Sequence, residues 1–427
     1  MLRRIVIKGF RALRYVSVDL DDFQVLVGPN ASGKSTFFDA INLVRDVLSA
    51  GIERSIYGDL RLSVPQRAVD PQDLSWMRSG DDIEIQLWVE LPERVRATTN
   101  SPYAYCCYEL ALTLSPQLSL RNETLWLLPA SAFPAERDSR KGQLTFPGPV
   151  FPHDSILISA ARKTPPGWRK VVTKIGDTGN DYFKAETSDW NNLFRLGPTK
   201  VALANLPEDE SKFPIATWFK RFMMDGVQRL VLNAEGMRLP CRPGLPATFL
   251  PDGSNIAWVV HRLEQHLPDT LKDWLEHVRT ALPDLTHIST REREEDRSRY
   301  IVLRYASGLE APSWLVSEGT LRLLALTLLA YAPDAPRLMV VEEPENGIHP
   351  QAIEIVFESL SGIRDRQVLC ASHSPVMLSL ARTSQLLCFA KTDEGATDII
   401  RGNRHPRLRE WQDTMILGDL FAAGILS

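Results

Sequence analysis

The sequence predicts an α/β fold, with a core sheet of buried strands that is flanked by antiparallel strands. Two observations support this. Three short apolar runs read as buried strands that end in polar turns, namely 23–27, 337–341 and 367–371. Other segments near the N-terminus alternate apolar and polar residues, as half-buried strands do.

The first buried strand leads into a glycine-rich segment, and the run from Phe37 to Val44 after it reads as a helix. The segment has the spacing of a phosphate-binding loop, with glycine, four free residues, glycine, lysine and a hydroxyl residue. The predicted phosphate-binding residues are Gly28, Pro29, Asn30, Ala31, Ser32, Gly33, Lys34, Ser35 and Thr36.

Each residue type in this segment has a physical reason to be there. Glycines let successive backbone N–H groups face phosphate oxygens, and the helix N-terminus adds partial positive charge. Lys34 is long enough to reach the β- and γ-phosphates, and Ser35 offers its hydroxyl to Mg²⁺. An ordinary glycine-rich turn is the alternative, but the strand before it and the helix after it favour nucleoside triphosphate binding.

Composition narrows the class of protein. The 427 residues are 44% hydrophobic and 24% charged, which suits two or three globular domains or one large enzyme with an insertion. A net charge of -4 gives no sign of a nucleic-acid binder, although local basic patches stay possible. We expect no membrane span and no signal sequence, and five cysteines without metal-ligand spacing favour a reducing cytoplasm.

The chain divides by pattern into three parts. Residues 1–114 read as an N-terminal lobe, in which 82–91 and 103–114 are predicted antiparallel strands. Residues 115–284 read as an insertion and helical region, broken early by proline and glycine and containing a helical hairpin at 254–282. Residues 285–427 read as the C-terminal lobe.

The C-terminal lobe supplies the rest of a nucleotide site. The strand from Arg337 ends in Glu342 and Glu343, the layout of a Walker B segment, in which one acid binds Mg²⁺ and the next polarises the attacking water. Ser317 and Gly319 open an apolar helix and offer a second anion site. His373 follows the last buried strand and is interpreted as a γ-phosphate sensor; each feature alone also has an ordinary structural explanation.

In this order, the motifs resemble those of an ABC-type ATPase head of the RecF, SMC and OLD-nuclease group. More narrowly, the segments 316–322, 342–350 and 372–375 resemble the AAA/RecF-like ATPases common in bacterial defence operons, and the resemblance extends to the ending 417–424. It implies a RecA-like core sheet with flanking antiparallel strands plus a helical or mixed insertion.

The resemblance also implies roles for residues. Lys34, Ser35 and Thr36 would hold phosphate and Mg²⁺, Glu342 would bind Mg²⁺, and Glu343 would act as the water-activating base. Ser317 and Gly319 would bind the γ-phosphate held by a second subunit, and His373 would sense that phosphate. Arg11 matches an arginine near the nucleotide, and Glu345 and Asn346 would cross a dimer interface.

Three features depart from the family pattern. Glu342 stands where aspartate is usual, Glu318 replaces the central glycine of the signature, and no glutamine can be assigned to the loop that links ATP to the helical lobe. Heptads do not persist as in SMC arms. Too few residues follow His373 for the nuclease domain of OLD proteins.

The sequence therefore predicts an ATP- and Mg²⁺-dependent dimeric switch. It would sense nucleic acid or a phage component and control a separately encoded effector such as a nuclease, with DNA as a possible partner. The alternative is a DNA-repair clamp gated by ATP without an effector. A transporter subunit, a GTPase and a small-molecule kinase fit the motifs less well.

Overall fold

The computed structural model describes residues 1–99, 101–133, 145–150, 154–160, 163–176, 181–246 and 248–410. The predicted resemblance at 417–424 lies outside these residues. Within them the strands are β1 Leu2–Phe10, β2 Leu13–Asp19, β3 Phe23–Val27, β4 Asp82–Glu90, β5 Tyr103–Thr113, β6 Ser119–Pro129, β7 Arg169–Ile175, β8 Tyr182–Lys184, β9 Asn191–Leu193, β10 Val227–Leu230, β11 Leu285–Glu292, β12 Arg299–Tyr305, β13 Glu310–Pro312, β14 Leu338–Glu342, β15 Gln367–Ala371, β16 Leu386–Lys391 and β17 Thr397–Arg401.

The helices of the same described residues pack around these strands. They are α1 Lys34–Ala50, α2 Ile52–Tyr57, α3 Glu93–Thr99, α4 Pro214–Asp225, α5 Ala234–Arg238, α6 Ile256–His266, α7 Pro268–Arg279, α8 Glu318–Tyr331, α9 Pro350–Ser361, α10 Pro375–Leu380 and α11 Pro406–Glu410. No helix in the described part of the chain is long and apolar enough to span a bilayer.

The core sheet has the order β10-β14-β15-β3-β16-β17. Its neighbouring strands run parallel, except for the antiparallel pair β16 and β17. The register places Glu342 beside Ala371, and Ala371 beside Leu26. Because parallel strands end at one edge, the turns after β3, β14 and β15 lie side by side there.

Alternate residues of each core strand enter two separate apolar layers, as the strand period of two requires. Leu26 and Val340 pack in the layer that contains α1 and α4. Val25 and Val341 pack on the opposite face, in the layer that contains α6, α7, α8 and α9. The helix that follows the phosphate loop and the helix that follows Ser317 thus lie on different faces.

An antiparallel sheet with the order β2-β1-β4-β5-β6-β7-β8-β9 covers the α1 side of the core. The predicted strands at 82–91 and 103–114 are confirmed as β4 and β5, paired antiparallel. Buried glutamates on this sheet accept backbone N–H groups from distant segments. Glu84 accepts from Ile156, and Glu109 accepts from Ile158 and Ser159.

Residues 115–284 contribute to both large sheets. They supply β6 to β9 of the antiparallel sheet and β10 of the core sheet, and the hairpin predicted at 254–282 is confirmed as α6 and α7. A small sheet of β11, β12 and β13 follows. The three-part division at 114 and 284 stays a prediction.

Candidate functional site

The loop at 28–33 joins β3 to α1 and is closely packed from behind. A Cβ on Gly28, whose φ is 153°, would lie 2.2 Å from the carbonyl oxygen of Phe389. A Cβ on Gly33, whose φ is 104°, would lie 2.2 Å from Thr397 Oγ1. Both positions therefore require glycine, for reasons of conformation and of space. Pro29, Asn30 and Ala31 form the exposed rim of the loop, whereas Ser32 is buried.

Lys34 folds back across this loop. Its Nζ donates to the carbonyl oxygens of Gly28 at 2.7 Å and Pro29 at 2.9 Å. Burial lowers the pKa of Lys34 to about 8, against the opposing effect of Glu343 and Glu342. The ammonium group thus lies at the base of the loop, where phosphate oxygens could replace the two carbonyl oxygens.

Ser35 and Glu342 meet at the carboxyl edge of the core sheet. The hydroxyl of Ser35 donates to Glu342 Oε2 at 2.7 Å. Hydroxyl and carboxylate oxygens are ligands that Mg²⁺ accepts, and a bound Mg²⁺ keeps several of its waters. The pair therefore fits the predicted metal site, and Thr36 lies beside it in the first turn of α1. The longer arm of glutamate still brings the carboxylate to the serine.

Glu343 has an unusual backbone conformation, with φ of 48°. Positive φ is uncommon for residues other than glycine, and such strain often accompanies function. The side chain is exposed, and its Oε2 accepts a hydrogen bond from Asn346 Nδ2. Its backbone N–H donates to Ala371 at 2.8 Å, which fixes the turn after β14 to β15.

Glu345 holds the segment that contains His373. Its Oε1 accepts hydrogen bonds from Ser372 Oγ at 2.6 Å and from the backbone N–H groups of His373 and Ser374, both at 3.1 Å. Burial and the nearby charge of Lys34 lower the pKa of His373, so its imidazole is neutral at pH 7. Glu345 therefore fixes the conformation of residues 372–374 within its own subunit, and its place at a dimer interface stays a prediction.

Ser317 and Gly319 open α8. Ser317 Oγ caps the helix by accepting the backbone N–H of Thr320 at 3.2 Å. A Cβ on Gly319 would lie 2.4 Å from the carbonyl oxygen of Gly347. The signature segment, residues 317–319, therefore packs directly on the turn that follows Glu342 and Glu343. Glu318 Oε1 accepts from Arg322 Nε at 2.9 Å, which pairs the carboxylate that departs from the family pattern.

Arg11 lies against α1 rather than in the phosphate loop itself. Its φ is 50°, and its Nη1 donates to Asp39 Oδ2 at 2.9 Å. Asp39 also accepts from the buried side chain of Arg67 at 2.7 Å. Arg11 therefore belongs to an ion-pair group that anchors α1, and its predicted contact with nucleotide stays a prediction.

The structure brings Lys34, Ser35, Glu342, Glu343 and His373 to one edge of the core sheet, while their roles there stay predictions. Sequence reasoning missed two further residues of this site, which no motif marks. Arg229 Nη2 lies 2.9 Å from Glu342 Oε1. Thr397 Oγ1 donates to Ser32 O at 2.9 Å and closes the loop from behind. Arg229 follows Gln228 in the four-residue strand β10, so no apolar run in the sequence marks it.

Comparisons with known proteins match two parts of the chain to ATPase-domain families. A family model described as "AAA domain, putative AbiEii toxin, Type IV TA system" matches residues 159–379, and one described as "AAA ATPase domain" matches residues 1–94. No curated protein matches the chain.

Solved structures show the same fold. The SmcHead bound to the C-winged helix domain of ScpA is 12% identical, with a TM-score of 0.53, over 93% of this chain and 96% of that one. The Smc head domain with an extended coiled coil, bound to the C-terminal domain of ScpA and derived from Pyrococcus furiosus, is 11% identical, with a TM-score of 0.50, over 93% and 95%. Because the first family model covers more than half of its residues, the chain belongs to this AAA-domain family, and its fold is that of an SMC-like ABC-type ATPase head.

Proposed function

We propose that the chain is an ATPase that binds ATP with Mg²⁺ and hydrolyses it between two copies of itself. The observation that carries this proposal is the hydrogen bond of 2.7 Å between Ser35 and Glu342, beside a complete phosphate loop. It brings a residue of the loop together with a carboxylate more than three hundred positions away, at the edge where Glu343 and His373 also lie.

The phosphate groups would be held by the backbone N–H groups of 28–35 and by Lys34, whose two carbonyl partners are exchanged for anionic oxygens. Ser35 and Glu342 would hold the metal, directly or through its waters. Mg²⁺ would neutralise charge on the phosphates as the terminal bond breaks. Near pH 8, Lys34 gains proton affinity when the phosphates arrive, because its pKa of about 8 rises next to negative charge.

Glu343 would accept a proton from the attacking water. Its carboxylate is exposed, and Asn346 Nδ2 holds one of its oxygens, which leaves the other for water. His373 is neutral near pH 7, so one ring nitrogen can donate to the γ-phosphate without an added positive charge. Loss of that phosphate would remove the hydrogen bond from His373, while the three hydrogen bonds to Glu345 would stay.

A second copy would complete the site. Ser317 starts a helix on the opposite face of the core sheet from α1. Its signature segment therefore suits phosphate on another molecule better than phosphate in its own loop. The pairing of Glu318 with Arg322 draws the carboxylate of Glu318 along the helix and reduces its repulsion of an incoming phosphate.

The dimer is tested with Glu343→Gln, which should bind ATP and not hydrolyse it. Light scattering should show a dimer for this variant with ATP and Mg²⁺, and a monomer without nucleotide. The matched control is the double variant Lys34→Ala/Glu343→Gln, which should stay monomeric because phosphate contacts are lost. A strictly monomeric Glu343→Gln protein under every nucleotide condition would contradict the proposal.

We further propose that this switch acts in defence against phage and controls a separately encoded effector. Support comes from the family, whose description names a Type IV toxin–antitoxin system. A host that carries the chain with its neighbouring genes should resist phage, and Lys34→Ala should abolish resistance at equal protein level. Phage resistance that survives Lys34→Ala would count against the role in defence.

DNA binding that is sensitive to salt and rises with ATP, without an effector, would favour the repair-clamp alternative.

A further inference from the structure

Arg229 lies next to the proposed metal site but belongs to none of its motifs. It sits on the edge strand β10, where the parallel register pairs it with Val340 of β14. Residues paired in register point to the same face, and Glu342 lies two positions after Val340. Both side chains therefore lie on the α1 face of the sheet, where Arg229 Nη2 is 2.9 Å from Glu342 Oε1.

This contact divides the carboxylate of Glu342 between two partners. Oε2 accepts from Ser35. Oε1 is shielded from solvent and accepts no hydrogen bond from the described residues, so its contact with the guanidinium is an ion pair. A metal ion bound to Oε1 would lie close to the guanidinium, and repulsion between the two cations would favour movement of the arginine away from Oε1. The side chain of Arg229 is 42% exposed, so it has room to leave.

The chain after Arg229 leads to the signature segment. It runs from β10 into α5, where the side chain of Asn233 accepts the N–H of Gly236. Arg238 at the end of α5 contacts the approach to α8 twice. Its Nε donates to the carbonyl oxygen of Val316 at 3.3 Å, and its own carbonyl oxygen accepts from Ser313 Oγ at 2.9 Å.

We propose that Arg229 is a latch on Glu342 that couples metal binding to the segment carrying Ser317. While Arg229 is paired with Glu342, β10 and α5 keep the positions in which Arg238 contacts Val316 and Ser313. Metal coordination through Oε1 of Glu342 breaks the pair, frees Arg229 and loosens or shifts 229–238, and this change reaches Val316 through Arg238. Arg229 is thus a positioning residue, which acts through Glu342 and touches no reacting atom.

The inference rests on the proposed function, because it assumes a metal at Glu342. The test measures the affinity of a fluorescent, non-hydrolysable ATP analogue in excess Mg²⁺ and in EDTA. Arg229→Gln should bind the analogue about threefold to fivefold more tightly than wild type in Mg²⁺, the effect expected for a half-exposed ion pair. In EDTA it should bind no more tightly. The control is Arg221→Gln, which removes an arginine of α4 paired with Glu210 on the surface.

Hydrogen exchange supplies a second readout that does not depend on affinity. In wild type, amides of 230–238 and 313–317 should exchange faster after the Mg²⁺ form of the analogue is added. In Arg229→Gln they should exchange at the faster rate already in EDTA, whereas Arg229→Lys should behave closer to wild type.

The outcomes separate the two proposals. If the affinity of the wild-type protein for the analogue does not depend on Mg²⁺, the proposed metal site itself is wrong. A wild type that does respond to Mg²⁺, together with an Arg229→Gln protein of equal or weaker affinity in Mg²⁺, would overturn the latch alone. Unchanged exchange at 313–317 in that variant would overturn the coupling to the signature segment.

Discussion

Glu345 offers the sharpest test of how the turn after β14 organises the site. Its Oε1 accepts three hydrogen bonds, from Ser372 Oγ, His373 N and Ser374 N. Glu345→Ala removes all three, and Ser372 is fully buried, so water cannot easily replace the carboxylate. At about 1 kcal/mol net for each bond, the segment loses about 3 kcal/mol of local stability.

Amide exchange measures this loss directly, because local opening sets the exchange rate of these N–H groups. A change of about 3 kcal/mol corresponds to about a hundredfold faster exchange at His373. The N–H of Ser374 also donates to Ser372 Oγ at 3.0 Å, so its exchange should rise less. Glu345→Gln keeps an oxygen acceptor and loses only the charge, so we expect about 1 kcal/mol and about fivefold faster exchange. The control is Glu354→Ala, an exposed glutamate on α9.

The same variants report on function. Because Glu345 holds the backbone on which His373 stands, both substitutions should lower kcat for ATP more than they raise KM. Exchange rates in Glu345→Ala within about twofold of the Glu354→Ala control would refute the reasoning, since three hydrogen bonds of this kind cannot be lost without faster opening.

Three further outcomes are expected. Nucleotide binding at pH 8 should take up about half a proton, because the pKa of Lys34 is about 8 and rises beside phosphate; at pH 7 the uptake should be small, because Lys34 is already protonated. Calorimetry in buffers of different ionisation enthalpy measures this proton uptake. The control is Lys34→Arg, whose side chain is always charged, and equal proton uptake by the variant and the wild type would contradict the prediction. Thr397→Val should weaken ATP binding about threefold to tenfold, because Ser32 O loses its donor, while Thr397→Ser should not. Gly319→Ala should lower the free energy of unfolding by about 1–3 kcal/mol, because the new Cβ would lie too close to Gly347 O. An unchanged melting temperature would show that the turn at Gly347 moves to make room for the methyl group.

The sequence predicted the parts of the site that depend on local pattern. The loop from Gly28 needs glycines and a lysine at set spacing, and a strand and a helix on either side, all of which can be read along the chain. Glu342 and Glu343 were found because a buried strand before two acids is a local pattern as well. The flanking antiparallel strands were found from alternation, which depends on residues two positions apart.

Arg229, Thr397 and the anchoring role of Glu345 depended on contacts between distant segments. Arg229 reaches Glu342 only because β10 pairs with β14 in one register, and Thr397 reaches Ser32 only because the antiparallel pair β16 and β17 closes the sheet beside the loop. No periodicity encodes which strand lies next to which.

By itself, then, the sequence determined that this chain has a loop with the spacing of a phosphate-binding loop, two acids at a strand end and an α/β head, since each depends on neighbouring residues. Only the tertiary structure decided which side chains share Glu342, and that Ser317 begins its helix on the face opposite α1. The physical reason is that strand order and helix packing follow from burial summed over the whole chain. A short stretch of sequence therefore does not show which strands become neighbours or which face of the sheet a helix covers.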